Sequence, residues 1–217
     1  IFGAGSIVSD AHLPAYEQNN LPVIGLYDLD YEKAKALGQK FNISVFKDPA
    51  EAAAIQNCIF DLAIPPSAHH KVLELIPENS AVILQKPMGS NLSEASNILT
   101  LCRKKSLNAC VNFQLRFAPM MIALKDIINK GLIGEIVDID MWAALDTPWN
   151  LWKFLEDLPR VEILLHSIHY FDAIRFLVGN PHGIHAKTMG HPASKISNTR
   201  TAAILDYGEE LRLSLIH

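Results

Sequence analysis

A glycine-rich segment near the start of the chain has the residue types and spacing of a dinucleotide-binding loop. Gly3 and Gly5 follow the apolar pair Ile1-Phe2, which we interpret as the end of a strand. Gly3 permits a tight turn, and Gly5 lets the backbone approach a pyrophosphate, which the next helix would bind through its free N–H groups. Asp28 ends the next apolar run, where its carboxylate would contact a ribose. The layout predicts a dinucleotide site.

The loop departs from the full fingerprint at one position, because Val8 stands where G-x-G-x-x-G has its third glycine. The helix therefore should not pack as closely on the strand. A bare G-x-G is also common in ordinary turns, and a methyltransferase would likewise carry a glycine-rich first loop and an acid after its second strand. The flanking strand and the spacing to Asp28 favour the dinucleotide site.

Lys86 has the position and chemistry to assist a reaction at a hydroxyl or carbonyl group. It follows the predicted strand 81–85 and precedes Pro87, which fixes the turn. A lysine at the carboxyl end of a strand would point into the crevice, where its ammonium could stabilise an alkoxide. The alternative is an ordinary surface lysine.

A predicted long helix over residues 160–178 carries four titratable side chains at spacings of three and four: Glu162, His166, His169 and Asp172. This spacing places the first three on one face. His169 could accept a proton, with Asp172 orienting it unless Asp172 pairs with Arg175. A glutamate and two histidines also form a metal-ligand set, but no H-E-x-x-H motif occurs and we predict no metal. The alternative is that the histidines only satisfy contacts within a helical interface.

Further polar and aromatic residues lie at strand ends, helix starts and the predicted domain junction: Pro65, Pro66, His69, His70, Gln114, Arg116, Trp149 and Trp152. One of the two adjacent histidines would cap local backbone or line the cofactor cleft. The glutamine and arginine would either reach that cleft or only tie two domains together. The tryptophans fit a core as well as a pocket wall.

Strand and helix signals alternate through about residue 115. The predicted strands cover residues 23–27, 42–46, 59–64, 81–85 and 109–113, and the predicted helices cover 10–18 with Asp10 as its cap, 31–41, a start at 48–51, 67–76 and 93–105. Near-continuous apolar strands alternating with helices predict a doubly wound parallel sheet, whose ligands bind at the carboxyl ends of the strands. Gly3, Asp28, Pro65, Lys86 and Gln114 fall at such ends.

The pattern changes in the second half of the chain, which predicts an α+β domain with a mainly antiparallel open sheet. Its predicted elements are helices 118–130 and 160–178 and strands 135–142, 184–189, 200–206 and 210–215, with a hairpin turn at 207–208. We predict a dinucleotide-binding domain over residues 1–115 and a substrate and oligomerisation domain over 116–217. We expect the sequence to be cut at both ends, because the first strand keeps two residues and the last strand-like segment stops abruptly.

Composition limits the class of protein. Of the 217 residues, 49% are hydrophobic and 19% are charged, which is typical of a soluble globular protein. The net charge of −4 gives no reason to expect a nucleic-acid partner. Cys58, Cys102 and Cys110 form no C-x-x-C motif, which favours free thiols in the cytoplasm. Neither a signal peptide nor a membrane-spanning apolar run is present in the sequence given, and we predict no membrane partner.

Taken together, these segments resemble the glucose–fructose oxidoreductase / inositol dehydrogenase (Gfo/Idh/MocA) family of NAD(P)-dependent oxidoreductases. The matching pieces, in family order, are GAGSI at 3–7, AHLP at 11–14, YD at 27–28, IPP at 64–66 with His70, QKP at 85–87, FQLRF at 113–117, IGEI at 133–136, HSIHYFD at 166–172 and RFLVG at 175–179. The resemblance implies a Rossmann domain followed by an α+β domain whose open sheet often forms oligomer interfaces.

The resemblance also implies the site residues. Lys86 matches the lysine of the family's E-K-P motif, and His169 matches the histidine of its D-x-G-x-H-x-x-D motif, so both are predicted to be catalytic. The predicted cofactor contacts are Gly3, Gly5, Ser6, Ile7, Asp28, Pro65, Pro66, His70, Gln85, Lys86, Gln114 and Arg116. The predicted substrate contacts are Lys86, Gln114, Trp152, His166 and His169.

Two departures from the family pattern affect the predicted chemistry. Gln85 replaces the acid before Lys-Pro, so Lys86 lacks an adjacent carboxylate. Leu165 and Ser167 stand where the second motif has its first Asp and its Gly. Either His166 or Asp172 substitutes for the missing carboxylate, or the chemistry is altered or absent.

The sequence therefore predicts an oxidoreductase that transfers a hydride between a nicotinamide cofactor and a sugar, polyol or related small hydroxy compound. Asp28 favours NAD over NADP, because a carboxylate there binds ribose hydroxyls and repels a 2′-phosphate. A non-catalytic, redox-responsive regulator of the same fold is the alternative, which Leu165 supports. A methyltransferase ranks last, because it leaves Lys86 and His169 without a role.

Overall fold

A computed structural model describes residues 1–147, 149, 155–156, 158–191, 196 and 198–217. The predicted substrate residue Trp152 lies outside these described residues. The chain divides into two compact units, Ile1–Asn112 and Phe113–His217. Their division lies close to the predicted boundary at residue 115, and the roles assigned to the two domains stay predictions.

The first unit contains a parallel sheet. Its strands are β1 (Gly25–Leu26), β2 (Ser44–Val45), β3 (Ile59–Leu62), β4 (Ala81–Leu84) and β5 (Asn108–Val111). Strand β1 pairs with β2, and β3, β4 and β5 pair in that order, all in parallel. Phe2 makes parallel bridges to Tyr27 and to Leu62, so it joins the two groups of strands. This order confirms the doubly wound fold class.

Five α-helices connect these strands. They are α1 (Leu13–Gln18), α2 (Tyr31–Phe41), α3 (Pro49–Ala53), α4 (Pro66–Leu75) and α5 (Leu92–Lys104). Side-chain oxygens cap three of them, because Asp30 accepts from the Lys33 N–H, Asp48 from that of Ala50 and Asn91 from that of Glu94. The predicted helix start at Asp48 is confirmed. None of the described helices of the whole chain combines the length and apolar character that crossing a lipid bilayer requires.

The predicted cap at Asp10 is wrong. The helix after the glycine loop already begins at Ser6 and passes through a π turn, Val8–His12, so Asp10 lies inside it. Its carboxylate accepts a hydrogen bond from the Ser9 hydroxyl instead of capping a helix. Val8 is fully buried, so the residue at the third glycine position belongs to the core.

The core of the first unit lies on both sides of the sheet. Three consecutive residues of β3, Phe60, Asp61 and Leu62, are buried, as expected for a central parallel strand covered by helices on both faces. Leu73 of α4 and Ile98 of α5 belong to the same hydrophobic cluster as Phe60 and Leu62. The three cysteines are free thiols.

The second unit is α+β, as predicted. Its elements are a 3₁₀ turn (Gln114–Phe117), α6 (Pro119–Asn129), β6 (Asp138–Trp142), a π turn (Ile163–Ser167) continuing into α7 (Ile168–Val178), β7 (Gly183–Met189), β8 (Arg200–Asp206) and β9 (Arg212–Ile216). The strands form one mixed sheet in the order β6-β9-β8-β7. The β6–β9 pair is parallel, and the other pairs are antiparallel.

The two faces of this sheet differ. On one face, Leu205, Leu213 and Leu215 are buried against Ile174 of α7. The other face exposes apolar side chains, and we call the strip formed by Trp142, Ile204 and Ile216 the open face. The register places these three together, because Trp142 pairs with Ile216 across β6 and β9 and Ile204 lies on β8 beside them.

We expect Gly3→Ala to destabilise the protein by about 3 kcal/mol. The φ of Gly3 is +105°, and a Cβ there would lie 2.2 Å from the Ala63 carbonyl oxygen, so both the backbone and its neighbour would have to move. Urea denaturation measures the loss. Gly5→Ala is the matched control, because no heavy atom of the described residues lies within 4 Å of its Cβ position. Equal stability of the two variants would contradict this account.

Candidate functional site

The glycine loop and Asp28 lie together, as the sequence predicts. The backbone N–H of Ala4 donates to Asp28 Oδ2 at 2.6 Å, and that of Asp30 donates to Oδ1 at 2.9 Å. The N–H of Gly3 donates to the Tyr27 carbonyl at 2.7 Å. These bonds fix the carboxylate next to the loop, at the carboxyl end of β1.

The loop has room for a phosphate at Gly5. A Cβ added at Gly5 would meet no other described heavy atom within 4 Å, and because glycine has no Cβ, a ligand can approach the backbone closely there. Ser6 begins the following helix and is exposed, and Ile7 beside it is half exposed. A pyrophosphate against this loop and a ribose against Asp28 fit the residues present.

The two adjacent histidines near the start of α4 have different environments. Pro65 is exposed, and Pro66 begins the helix. His70 is exposed, with Nδ1 3.8 Å from Glu74 Oε1. His69 is fully buried and its Nδ1 contacts the Met88 carbonyl at 3.1 Å, so it is the histidine that binds local backbone. Burial lowers the pKa of His69.

Gln85 connects the ends of three neighbouring strands. Its Nε2 donates to Asp61 Oδ1 at 3.4 Å, and its Oε1 accepts from Asn112 Nδ2 at 3.2 Å. The Asp61 carboxylate is buried and also contacts His12 Nδ1 at 2.6 Å and the Tyr16 hydroxyl at 2.9 Å. Burial favours a raised pKa for Asp61, but these hydrogen bonds outweigh it and hold the pKa below its usual range. Sequence reasoning missed this cluster, because its members lie far apart in the chain.

Lys86 follows β4 and precedes Pro87 across a cis peptide bond. Burial lowers the pKa of its amine. An amine with a lowered pKa exchanges a proton more readily near neutral pH, which suits a group that assists a reaction at an oxygen atom. The position and the desolvation agree with the predicted role, which stays a prediction.

In the second unit, Arg116 is held by Asp172. Its Nε and Nη2 donate to the two oxygens of the buried Asp172 carboxylate at 2.9 and 2.6 Å, and its guanidinium lies 5.1 Å from the Phe176 ring centroid. The proposed pairing of Asp172 with Arg175 is wrong, because Arg175 donates to Asn180. The bidentate pair fixes the 3₁₀ turn onto α7.

His169 lies on α7, with its ring edge-on to Phe113 at a centroid distance of 6.1 Å. Gln114 is exposed at the start of the 3₁₀ turn. Leu165 is buried and packs with Leu158 and Val161, so the position of the family's aspartate holds a core residue. The predicted roles of Gln114 and His169 stay predictions.

The structure changes the predicted grouping of Glu162, His166 and His169. Glu162 is fully buried, and its Oε1 accepts from the N–H and hydroxyl of Ser167 at 3.1 and 2.7 Å, because the π turn aligns residues five apart. His217 Nδ1 lies 3.0 Å from the same oxygen. Glu162, His166 and His217 are therefore the titratable side chains that lie together, rather than the predicted set with His169. No local signal in the sequence points to His217, which follows β9.

Comparison with known proteins gives the family. Residues 1–113 match the model of the Gfo/Idh/MocA family, described as an oxidoreductase family with an NAD-binding Rossmann fold. The chain belongs to this family. The predicted family and fold class are confirmed, and the family's NAD-binding fold agrees with the predicted nicotinamide cofactor.

Curated relatives include two sugar dehydrogenases. The chain is 26% identical over 214 residues to D-apiose dehydrogenase of Paraburkholderia graminis, covering 94% of this chain and 56% of the relative. It is 26% identical over 188 residues to D-glucoside 3-dehydrogenase of Escherichia coli, covering 83% and 54%. The chain thus spans about half the length of the curated relatives it matches.

Solved structures share the fold along nearly the whole chain. An oxidoreductase from Agrobacterium radiobacter, in complex with NAD⁺, L-tartaric acid and magnesium, has a TM-score of 0.84 at 22% identity and covers 99% of this chain and 64% of its own. The WlbA dehydrogenase from Bordetella pertussis, in complex with NADH and UDP-GlcNAcA, has a TM-score of 0.82 at 20% identity, with coverage of 99% and 68%.

We expect Asp61→Asn to lower the free energy of unfolding by about 2 kcal/mol at neutral pH, because it weakens charge-assisted hydrogen bonds. The pKa of Asp61 is lowered in the folded state, so its contribution is present above the unfolded pKa and is lost as the pH falls through the folded one. The gap between wild type and variant should therefore narrow between about pH 5 and pH 3.

Urea denaturation at both pH values measures this gap. Asp10→Asn is the control, because that carboxylate is exposed and its hydrogen bond within the described part of the chain comes from the neighbouring Ser9. A gap for Asp61→Asn that stays constant or widens on acidification would show that the carboxylate is not held in its charged form.

Proposed function

We propose that this protein is a nicotinamide-dependent dehydrogenase or reductase acting on a CH–OH group of a sugar, polyol or related small hydroxy compound. The observation that carries the proposal is the glycine loop with Asp28 bonded to it, in a chain of an NAD-binding oxidoreductase family. The names of the curated relatives support the substrate class, since they act on D-apiose and D-glucosides.

NAD is the proposed cofactor, in preference to NADP. Asp28 is a half-buried carboxylate held by two backbone N–H groups, so it can accept hydrogen bonds from ribose hydroxyls but would repel a 2′-phosphate. The remaining proposed contacts are Gly3, Gly5, Ser6, Ile7, Pro65, Pro66, His70, Gln85, Lys86, Gln114 and Arg116. Since Asp172 already binds Arg116 bidentately, any contact of Arg116 with the cofactor would use its remaining donors.

The nicotinamide, when bound, accepts or supplies the hydride. We assign the proton of the substrate hydroxyl to His169 and stabilisation of the oxyanion to the ammonium of Lys86. Gln114, His166 and Trp152 remain proposed substrate contacts. The carboxylate that the family motif places at residue 165 is absent, so His169 must act without it.

A non-catalytic nucleotide-binding regulator is the second candidate. The burial of Leu165 in an apolar cluster favours it, because that position offers no carboxylate to the reaction. We further propose a cytoplasmic protein, on the basis of three free cysteines, with neither a nucleic-acid nor a membrane partner.

Lys86→Met should lower kcat at least about 100-fold and raise the Kd for NAD⁺ far less, because the lost group acts on the reacting oxygen but is one of many proposed cofactor contacts. NADH absorbance with a panel of sugars and polyols gives the rates, and calorimetry gives the Kd. Lys71→Met, an exposed lysine on α4, is the matched control. If the wild-type protein binds NAD⁺ but turns over no substrate in the panel, the result would contradict the proposed dehydrogenase and favour the non-catalytic regulator.

Asp28→Asn should reduce the preference for NAD⁺ over NADP⁺ by about tenfold, because it removes the charge that repels the 2′-phosphate. Calorimetric titration of nucleotide-free protein with NAD⁺, NADP⁺ and S-adenosylmethionine measures this. Asp30→Asn is the control, since that exposed aspartate instead caps α2. Binding of S-adenosylmethionine alone would favour a methyltransferase, and binding of neither dinucleotide would overturn the proposal.

We also propose that two copies of the protein pair through the open face. Ile204 and Ile216 are each more than half exposed on the open face, where a second apolar surface would bury them. Ile204→Asp should shift the protein toward monomer in sedimentation velocity. Ile184→Asp changes an exposed isoleucine whose register partner, Leu205, is buried on the other face, so it should leave association unchanged. A wild-type monomer would end this proposal.

A further inference from the structure

Three side chains of the second unit converge with the donor types of a transition-metal site. Glu162, His166 and His217 each offer one ligand atom, and these three atoms lie within 4.8 Å of one another. Among the described residues, this is the one group of three or more such side chains placed so closely. It differs from the Glu162, His166 and His169 set considered from helical spacing.

The backbone holds the three residues from separate directions. The N–H of Glu162 donates to the Asn198 carbonyl at 3.2 Å. His166 lies within the π turn that precedes α7, and π turns are frequent at functional sites. His217 is paired with Thr201 through two backbone hydrogen bonds of 2.8 Å, which extend the β8–β9 ladder by one residue pair. The donors therefore sit on fixed elements.

Among the described residues, hydrogen bonds reach only one of the two oxygens of the Glu162 carboxylate. Oε1 accepts from Ser167 twice and contacts His217 Nδ1, whereas Oε2 is buried without a hydrogen-bond partner in the described part of the chain. The residue has no solvent exposure. An anionic oxygen withdrawn from water without a partner is costly, so a native structure needs a counterpart for it.

His217 has the same deficit. Its side chain is only 5% exposed, and its Nε2 finds no partner among the described residues. A cation that accepts lone pairs from both residues resolves both deficits together.

We propose that Glu162, His166 and His217 bind one divalent first-row transition ion, with Zn²⁺ as the best fit. One carboxylate oxygen and two imidazole nitrogens are the donor set of several tetrahedral zinc sites. Imidazole ligands disfavour Mg²⁺ and Ca²⁺, which prefer oxygen donors. With metal–ligand bonds of about 2.0–2.1 Å, tetrahedral donors lie about 3.3 Å apart, so the three side chains must close by up to about 1.5 Å.

The surroundings suit such a site. The Trp149 ring lies 4.9 Å from His166, and the Tyr170 ring lies 6.0 Å from His217, both as centroid distances. The Ser167 hydroxyl bonds the carboxylate and orients it, as outer-shell groups do around bound metals. Three protein ligands leave a fourth position for water or another oxygen ligand. The proposal does not depend on nucleotide binding.

The test uses the full-length protein after treatment with a chelator. Calorimetric titration with ZnCl₂ should give one site per chain, and Co²⁺ should give the intense visible absorption of a tetrahedral N/O centre. Glu162→Gln and His166→Ala should each weaken Zn²⁺ binding at least about 100-fold. Glu162→Gln keeps the shape and the bond from Ser167, so it is the variant that best preserves the fold.

His185→Ala is the matched control, because this histidine is exposed on β7, away from the cluster. It should leave Zn²⁺ affinity unchanged. Circular dichroism checks that each variant is folded. Absence of one-to-one binding by the wild-type protein would overturn the proposal, as would unchanged affinity in both cluster variants or a loss of affinity in His185→Ala that marks a surface site.

Discussion

The pairing of Phe2 with both Tyr27 and Leu62 is the contact on which the first unit depends. Without it, β1-β2 and β3-β4-β5 would be two separate parallel sheets. The same short segment turns sharply at Gly3, where only the absence of a Cβ allows the approach to Ala63. The turn then brings the Ala4 N–H to Asp28. Sheet formation and the geometry of the proposed dinucleotide loop are therefore set by the same three residues, Phe2, Gly3 and Ala4.

In the second unit, the π turn before α7 decides which polar groups meet. One extra residue in the turn rotates Ser167 under Glu162 and directs His169 toward Phe113. The bidentate bond between Arg116 and Asp172 then fixes α7 to the 3₁₀ turn. The grouping predicted from regular helical spacing is therefore wrong here, because the π turn brings together Glu162 and Ser167, which a regular helix would keep apart.

Local signals predicted much of the fold. Helix α2 and strand β8 have the bounds that the sequence predicts, and the strand ends at the hairpin turn predicted at 207–208. The cap at Asp10 failed because the helix continues through a π turn, which periodicity does not reveal. The proximity of Asp28 to the glycine loop was predictable from strand order. The contacts of Asp61 with His12 and of Glu162 with His217 depend on tertiary packing between distant segments, which spacing along the chain does not encode.

The position of Gly3 and Ala4 has a consequence for transient local opening of the first unit. Because the segment that joins the two groups of strands also forms the proposed phosphate-binding loop, transient opening of that segment would remove the proposed nucleotide site at the same time. Any nucleotide that binds only the closed form stabilises this segment by mass action, in proportion to the logarithm of its concentration. The rate of amide exchange at Gly3 and Ala4 would then fall as nucleotide binds. Exchange at these two backbone groups would therefore depend on the concentration of free dinucleotide.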